Sequence, residues 1–389
     1  MKMFLKILFQ YSYEVRVCPV LAIYFQSDTY KRIIYASYEQ QEYQNCVGGG
    51  GSVYSLFHNI VSLSNLLKAW KEFKKCKNTK VDVVEFEFNL ENNLFLLHKE
   101  LMNKTYKPNP YQAFFVYDPK RRHIHKATVR DRVLHQAIFR ILYPIFDKHF
   151  IFNSYSSRIG KGTHKASKRL FIALRKESKN WRRPVFALKC DIRKFFDSID
   201  HNILFELIKK KISDEDTLLL IDKILKSFEK LPNVGLPLGN VTSQLFSNIY
   251  LNELDQFVKH KFKVKSYFRY ADDFIILSDN ESELLNLLRD IKVFLKEKLK
   301  LDLHPGKVFI RKLKQGVDFV GYVVLPNAVV LRTKTKRRIL KKLKSAEKKL
   351  LAGEISEENF TQIKASYMGV LKHCKNKEIK RKIQKSCLF

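Results

Sequence analysis

Long stretches of the chain carry apolar residues at the three- and four-residue spacing of an amphipathic helix. This pattern covers residues 56–75 and 82–101, begins again near Val129, and returns at about residues 281–300. From Arg332 onward the same spacing continues in a strongly basic background. The chain is therefore predicted to be rich in helices that each bury one face.

Shorter apolar runs between these segments predict strands. Residues 185–188 form one such run, which ends at Asp191. Residues 266–279, SYFRYADDFIILSD, form two aromatic-rich runs on either side of a turn. Two further runs, VDFVGYVVL (317–325) and AVVL (328–331), are each predicted to be a strand. Strands and helices are thus mixed along the chain.

The charge balance predicts a polyanionic partner. The 389 residues include 73 Lys and Arg against 39 Asp and Glu, a formal net charge of +34. So much positive charge repels itself, and nucleic acid is the first partner to consider, with an anionic membrane surface as the alternative. No stretch reaches the roughly 20 apolar residues that cross a membrane. Six cysteines lie scattered without metal-site spacing, which is typical of free thiols, so a cytoplasmic protein without membrane association is predicted.

Four consecutive glycines follow Val47 and predict a flexible linker. Residues 1–51 are therefore predicted to be an N-terminal extension that ends in a linker. The sequence assigns this extension no role.

Two adjacent carboxylates, Asp272 and Asp273, occupy the turn between the two aromatic-rich runs. At a hairpin tip they repel each other unless a cation neutralises them, and Mg²⁺ prefers carboxylate oxygens together with substrate phosphates. A solvated Asp-Asp turn is the alternative interpretation of the dipeptide alone. A third carboxylate, Asp191, ends another predicted strand. Three acids at two strand ends suit two divalent ions roughly 4 Å apart, which would activate a 3′-hydroxyl and stabilise a leaving pyrophosphate.

Five segments resemble motifs A to E of a reverse transcriptase and occur in the same order. They are CDIRKFFDSID (190–200), GLPLGNVTSQ (235–244), YADD (270–273), HPGK (304–307) and FVGY (319–322). The resemblance spans residues 116–331. Within the superfamily of group II intron and retron-like enzymes, PLGNVTSQLFSNIYLNELD and the late SYMGVLKHC are most similar to reverse transcriptases of diversity-generating retroelements.

The resemblance implies catalytic roles by position. Asp191 and Asp272 match the main metal ligands and Asp273 completes the triad, with two Mg²⁺ ions as cofactors and Mn²⁺ as a substitute. Phe196 matches the bulky residue that excludes a ribose 2′-hydroxyl, although core packing is the alternative for a phenylalanine here. Leu238 stands where many of these enzymes carry glutamine, and an aliphatic residue there implies error-prone copying of template adenines.

The remaining matches concern the substrates. For the nucleotide the resemblance implies contacts from Arg122, Lys120, Gly239, Gln244 and Lys307. A solvated basic loop is the alternative for the first two, helix capping for Gln244, and a simple counter-charge for Lys307. For template and primer it implies contacts from Arg158, Asn240, Phe319, Gly321 and Tyr322.

The implied fold is an α/β (α+β) right-hand polymerase with an antiparallel-sheet palm, α-rich fingers and a helical, basic thumb. The predicted boundaries are 52–184 for the fingers, 185–330 for the palm and 331–389 for the thumb. The implied partners are an RNA template, the RNA/DNA hybrid, dNTPs and a small basic accessory protein. One alternative is an antiphage-defence or retron-type reverse transcriptase. Another is an RNA-binding, maturase-like protein without polymerase activity.

Overall fold

A computed structural model describes residues 55–118 and 121–385 of the chain, the last without its side chain. The predictions for residues 1–51 and for Lys120 therefore lie outside the described residues. From Leu56 onward the described chain belongs to one compact unit.

Thirteen α-helices lie in the described part of the chain. They are α1 (Leu56–Val61), α2 (Leu63–Lys74), α3 (Val81–Phe88), α4 (Leu90–Met102), α5 (Val129–Asp147), α6 (Thr163–Glu177), α7 (His201–Lys209), α8 (Glu215–Lys226), α9 (Val241–Gln256), α10 (Glu281–Leu299), α11 (Thr333–Leu351), α12 (Glu357–Leu371) and α13 (Lys377–Lys385). Among the described residues, no helix combines the length and the apolar surface that a membrane span requires.

The strands of the described chain form three antiparallel sheets. They are β1 (Gln112–Val116), β2 (Arg122–Lys126), β3 (Phe186–Asp191), β4 (Tyr267–Tyr270), β5 (Asp273–Ser278), β6 (Phe309–Lys312), β7 (Val317–Phe319), β8 (Tyr322–Leu325) and β9 (Ala328–Leu331). The largest sheet has the order β4-β5-β3-β6, β1 and β2 form a hairpin, and β7 to β9 form a meander. The fold is thus mixed α/β with antiparallel sheets, as predicted.

Local side chains explain where several helices begin. Thr128 accepts a hydrogen bond from the backbone N–H of Asp131, which satisfies a donor at the start of α5. Asp200 does the same for Ile203 in α7. Each cap therefore fixes the first turn of its helix.

The four-stranded sheet is packed on both faces. Leu188 and Phe274 point into a large core with helices α1 to α5 and α7 to α10. Ala187 and Ile275 point into a second core shared with α6 and the β7–β8 hairpin. Alternation of side chains along a strand produces this division. A third core joins α11, α12 and α13 to the meander.

Three predicted elements are divided in the structure. The helical segment 56–75 breaks after Val61, and the segment 82–101 breaks at Asn89, which has a non-helical backbone. The run 317–325 is two strands, because Val320 and Gly321 form a tight turn with φ of 45° and 88°. A β-branched residue rarely adopts positive φ, so the sequence gives no signal for a turn at Val320.

Candidate active site

The three predicted catalytic carboxylates meet at one end of the four-stranded sheet. β3 and β5 pair antiparallel with Asp191 directly opposite Asp273. Residues opposite each other on such a pair share a face, with Cβ atoms about 4.5–5.5 Å apart. Asp272 lies in the two-residue turn between β4 and β5, and its carbonyl accepts a hydrogen bond of 3.2 Å from the Ile192 N–H. The register of the sheet therefore brings the acids together from distant positions in the sequence.

The surroundings of these acids disfavour their charged forms. Burial raises the pKa of Asp273 to about 6, and the nearby charges of Asp191 and Asp272 act in the same direction against the attraction of Lys189. Burial also raises the pKa of Asp272, with a further contribution from Asp191, while Lys307 and Arg122 oppose the shift. The cluster thus lacks enough positive charge to neutralise it fully.

Two lysines contact the acids. Lys307 Nζ lies 2.6 Å from Asp191 Oδ1, so the HPGK segment reaches the triad. Lys189 Nζ lies 3.1 Å from Asp273 Oδ2 and also donates a 2.9 Å hydrogen bond to the carbonyl of Asp318 in β7. Lys189 is buried, with 8% of its surface exposed. Lys189 is absent from the predicted site residues, although a lysine two positions before Asp191 in an otherwise apolar strand is a usable signal.

The donor set fits a divalent cation. Within the described residues, no group of three or more His, Cys, Asp or Glu side chains is already arranged as a metal site. Asp273 Oδ1, however, is buried without a hydrogen-bond partner, and carboxylate oxygens are the ligands that Mg²⁺ prefers. An orphaned anionic oxygen beside two more carboxylates is what a cation would satisfy.

The β1–β2 hairpin packs against the loop that precedes α9. The His125 N–H lies 3.4 Å from the carbonyl of Leu238, and Ile124 lies beside Gly239. Gly239 has φ of 123°, a conformation that other residues rarely adopt. Arg122 is exposed at the start of β2, and its charge acts on Asp272. The hairpin thus brings a cation to the acidic end of the sheet.

Two neighbouring phenylalanines have different environments. Phe195 is buried in the core, whereas Phe196 is half-buried, and its carbonyl accepts a 2.7 Å hydrogen bond from the Leu236 N–H. Phe196 is therefore tied to the loop that carries Leu238, which is itself half-buried. This arrangement suits a wall of a nucleotide pocket.

The predicted polar residues of this loop differ in accessibility. Asn240 is buried and donates to the Tyr111 hydroxyl at 3.4 Å, while its own Oδ1 has no hydrogen-bond partner. Gln244 is exposed in the first turn of α9. Asn240 thus contacts the protein interior and stabilises the loop. It has no exposed surface that would favour its predicted contact with template or primer.

Both aromatic rings of the FVGY segment are buried, so the turn between them is its more accessible part. Phe319 is fully buried, and the buried Tyr322 hydroxyl pairs with His164 Nδ1 at 2.9 Å. Between them, Val320 and Gly321 form the half-buried turn of the β7–β8 hairpin. Phe319 and Tyr322 therefore hold the turn, and a primer could contact only the turn itself.

Arg158 has a different role from the predicted contact with template. Its guanidinium donates to Asp147 Oδ1 at 2.6 Å and to the carbonyl of Ile151 at 2.6 Å. Only 6% of its side chain is exposed. Because the Arg158 side chain is buried and its guanidinium is already hydrogen-bonded, the structure favours a role in stabilising the end of α5 over a nucleic-acid contact.

Comparison with known proteins gives a family match over the same region. Residues 109–324 match the family described as reverse transcriptase (RNA-dependent DNA polymerase). The protein YkfC of Escherichia coli K12 is 24% identical over 282 residues, which cover 62% of this chain and 74% of that protein. The group II intron-encoded protein LtrA of Lactococcus lactis subsp. cremoris is 27% identical over 304 residues, which cover 60% of this chain and 49% of LtrA. The chain thus spans only about half the length of LtrA.

A solved structure of apo telomerase from Candida tropicalis, truncated from the C-terminal domain, aligns with a TM-score of 0.44 at 14% identity, covering 60% of this chain and 59% of that one. The family match covers more than half of the 389 residues. It also contains Asp191, Asp272 and Asp273. The chain belongs to the reverse transcriptase family.

Proposed function

We propose that the protein is an RNA-directed DNA polymerase that extends a primer on an RNA template with dNTPs. The observation that carries this proposal is the register of β3 and β5, which sets Asp191 opposite Asp273 beside the turn that carries Asp272. Three carboxylates at one sheet end, with raised pKa values on two of them, form a site that needs cations.

Different residues of the chain have different roles in the proposed site. Asp191, Asp272 and Asp273 would hold divalent ions, which when bound supply activation of the 3′-hydroxyl and stabilisation of the leaving pyrophosphate. Lys307, 2.6 Å from Asp191, is placed to bind the phosphates when Asp191 binds an ion in its place. Arg122 would hold the triphosphate from the hairpin, and Phe196 would exclude a 2′-hydroxyl. The turn at Gly321 would support the primer.

The predicted fingers, palm and thumb boundaries are part of the same proposal. The thumb assignment is supported by α11, whose buried residues Ile339, Leu343 and Ala346 pack into the third core. Its remaining face is strongly basic, as a helix that follows a duplex backbone requires.

Primer extension tests the proposal. Purified protein with primed RNA, dNTPs and Mg²⁺ should make DNA, and the Asp272→Ala variant should make none. The matched control is Asp279→Ala, which removes an exposed carboxylate at the opposite end of β5 and should leave extension unchanged. If wild type and Asp272→Ala bind RNA equally and neither makes DNA, the maturase-like function replaces the polymerase.

We further propose that the enzyme serves a diversity-generating retroelement, with mutated cDNA as its product and a small basic accessory protein as its partner. The supporting residue is Leu238, whose aliphatic side chain can offer no hydrogen bond at the edge of the nucleotide pocket. Loss of one polar contact typically reduces the free-energy difference between the correct and an incorrect nucleotide by roughly 1–3 kcal/mol.

Sequencing of cDNA made on a defined RNA tests this finer proposal. Leu238→Gln should lower misincorporation opposite template adenine by roughly 10- to 100-fold, while errors opposite other bases change less. Leu238→Met, which keeps an apolar side chain of similar volume, is the control and should keep the wild-type error spectrum. An unchanged adenine error rate in Leu238→Gln would favour the antiphage-defence or retron-type alternative, and a defence locus around the gene would support that alternative independently.

A further inference from the structure

A basic groove lies on the outer side of α6, apart from the three carboxylates. Its volume is about 450 Å³, within the range of roughly 300–1,000 Å³ typical of ligand pockets. It is lined mainly by residues of α6 and of the loop before it, among them Phe152, Gly160, Lys161, Lys165, Lys168 and Arg169. All charged residues that line this groove in the described structure are cations.

An aromatic ring at the groove holds two of these cations in place. Phe152 is 60% exposed, an unusual position for so large an apolar side chain. Lys161 Nζ lies 3.6 Å from the centroid of its ring, and the Arg169 guanidinium carbon lies 4.8 Å from it. Lys161 also donates a 2.8 Å hydrogen bond to the Phe152 carbonyl. Cation–π contacts of this kind orient the charges before any ligand arrives.

The groove is built on a rigid support. Leu170 and Leu174 on the opposite face of α6 are fully buried in the second core. The loop before α6 is fixed to the edge strand β4, because the Tyr155 N–H donates to the Arg269 carbonyl at 2.9 Å. Lys165, Lys168 and Arg169 therefore project from one exposed helix face at fixed spacing.

We propose that this groove, here called the α6 groove, binds unpaired RNA. Lys165, Lys168 and Arg169 would bind consecutive phosphates, and Phe152 would stack against a base. A combination of exposed ring and backbone-tracking cations is the usual solution for sequence-tolerant binding of single strands. The identity of the strand as RNA rests on the proposed function, in which the unpaired strand is the template. Charge complementarity excludes the small basic accessory protein as the occupant.

Fluorescence anisotropy with a short unstructured RNA, in the absence of dNTPs, tests the proposal. Phe152→Ala should weaken binding about tenfold, and Phe152→Tyr, which keeps a ring, should bind as wild type does. The double variant Lys165→Ala/Lys168→Ala should reduce the slope of log affinity against log salt by about 1.4, since each single-strand phosphate contact contributes about 0.7. All three side chains are exposed, so folding should be retained, and thermal unfolding verifies it.

The matched control is Lys292→Ala/Lys296→Ala, which removes two exposed lysines from α10, the helix that covers the other face of the sheet. This control should keep the wild-type slope. Equal losses in both double variants, or unchanged RNA binding in the α6 variants, would overturn the proposal. Loss of binding to a protein partner with RNA binding intact would also overturn it and would assign the groove to that partner. Because no dNTP is present, these results are independent of whether the protein polymerises.

Discussion

Lys189 links two parts of the proposed active site that lie far apart in sequence. Its ammonium contacts Asp273 Oδ2 at 3.1 Å and the carbonyl of Asp318 at 2.9 Å, and the Asp318 carboxylate in turn pairs with Arg332 at the start of the basic helix α11. One buried cation thus connects the acidic strand end to the β7–β8 hairpin, whose turn would support the primer. Breaking such a pair is costly when only one partner is removed.

Lys189→Met should therefore lower the free energy of unfolding by on the order of 3 kcal/mol, because Asp273 is left buried beside two other carboxylates. The double variant Lys189→Met/Asp273→Asn should recover most of that loss, since no uncompensated charge remains. Urea unfolding without divalent ions measures both. Lys189→Arg, which keeps the charge, serves as the control, and equal stability of the single and double variants would show that the unpaired Asp273 charge does not cause the loss.

At the scale of elements, the sequence was most informative where local chemistry determines structure. The start of α5 near Val129 and the extent of α10 are predicted by helical periodicity, and the structure adds the caps at Thr128 and Asn280. The hairpin of β4 and β5 follows from the two aromatic-rich apolar runs on either side of two acids. Each of these signals lies within a few residues of the feature that it predicts.

Other features depend on contacts that no short segment contains. The pairing of Asp191 with Asp273 required knowledge of the sheet register, which the resemblance to a family supplied and periodicity did not. The division of residues 317–325 into two strands depends on packing that holds Val320 at positive φ. The resemblance implies a template contact for Arg158, whereas its pairing with Asp147 is formed only in the folded chain.

A buried histidine joins two helices beneath the proposed nucleotide pocket. His135 on α5 is 2% exposed, and its Nδ1 lies 3.2 Å from the Thr242 hydroxyl on α9. Burial lowers the pKa of His135 to about 4, against the opposing charge of Asp131. The unfolded chain therefore binds this proton at a higher pH than the folded protein does, so the stabilising contribution is complete above the unfolded pKa of about 6.5 and is lost on acidification toward pH 4.

His135→Gln should remove that part of the pH dependence, because glutamine can still hydrogen-bond with Thr242 but does not titrate. Between neutral pH and about pH 4, wild type should lose about 3 kcal/mol more unfolding free energy than the variant. Urea unfolding across this range measures the difference. His260→Gln, which replaces an exposed ring, should follow the wild-type curve. Parallel curves for wild type and His135→Gln would mean that other groups cause the acid sensitivity.

At the scale of the whole molecule, one ion pair joins two elements that lie far apart in the described chain. Asp118 follows β1 in the predicted fingers hairpin and pairs with Lys342 on α11 of the predicted thumb. Both side chains are about half exposed, so the pair is weak and easily broken. Under the proposed function an RNA/DNA hybrid must enter between these elements, and the pair then opposes its entry.

Asp118→Asn should therefore increase the association rate constant for a primed RNA, by at most about fivefold, because an exposed ion pair stabilises the closed arrangement only slightly. Stopped-flow fluorescence measures this rate. Loss of one negative charge also favours nucleic-acid binding in general, so Asp279→Asn, exposed at the far end of β5, supplies the correction for charge alone. The exchange Asp118→Lys/Lys342→Asp keeps the net charge and restores an ion pair, and it should return the rate to the wild-type value. If Asp118→Asn and Asp279→Asn accelerate binding equally, net charge alone explains the effect. The contact between the β1–β2 hairpin and α11 then does not control entry of the hybrid.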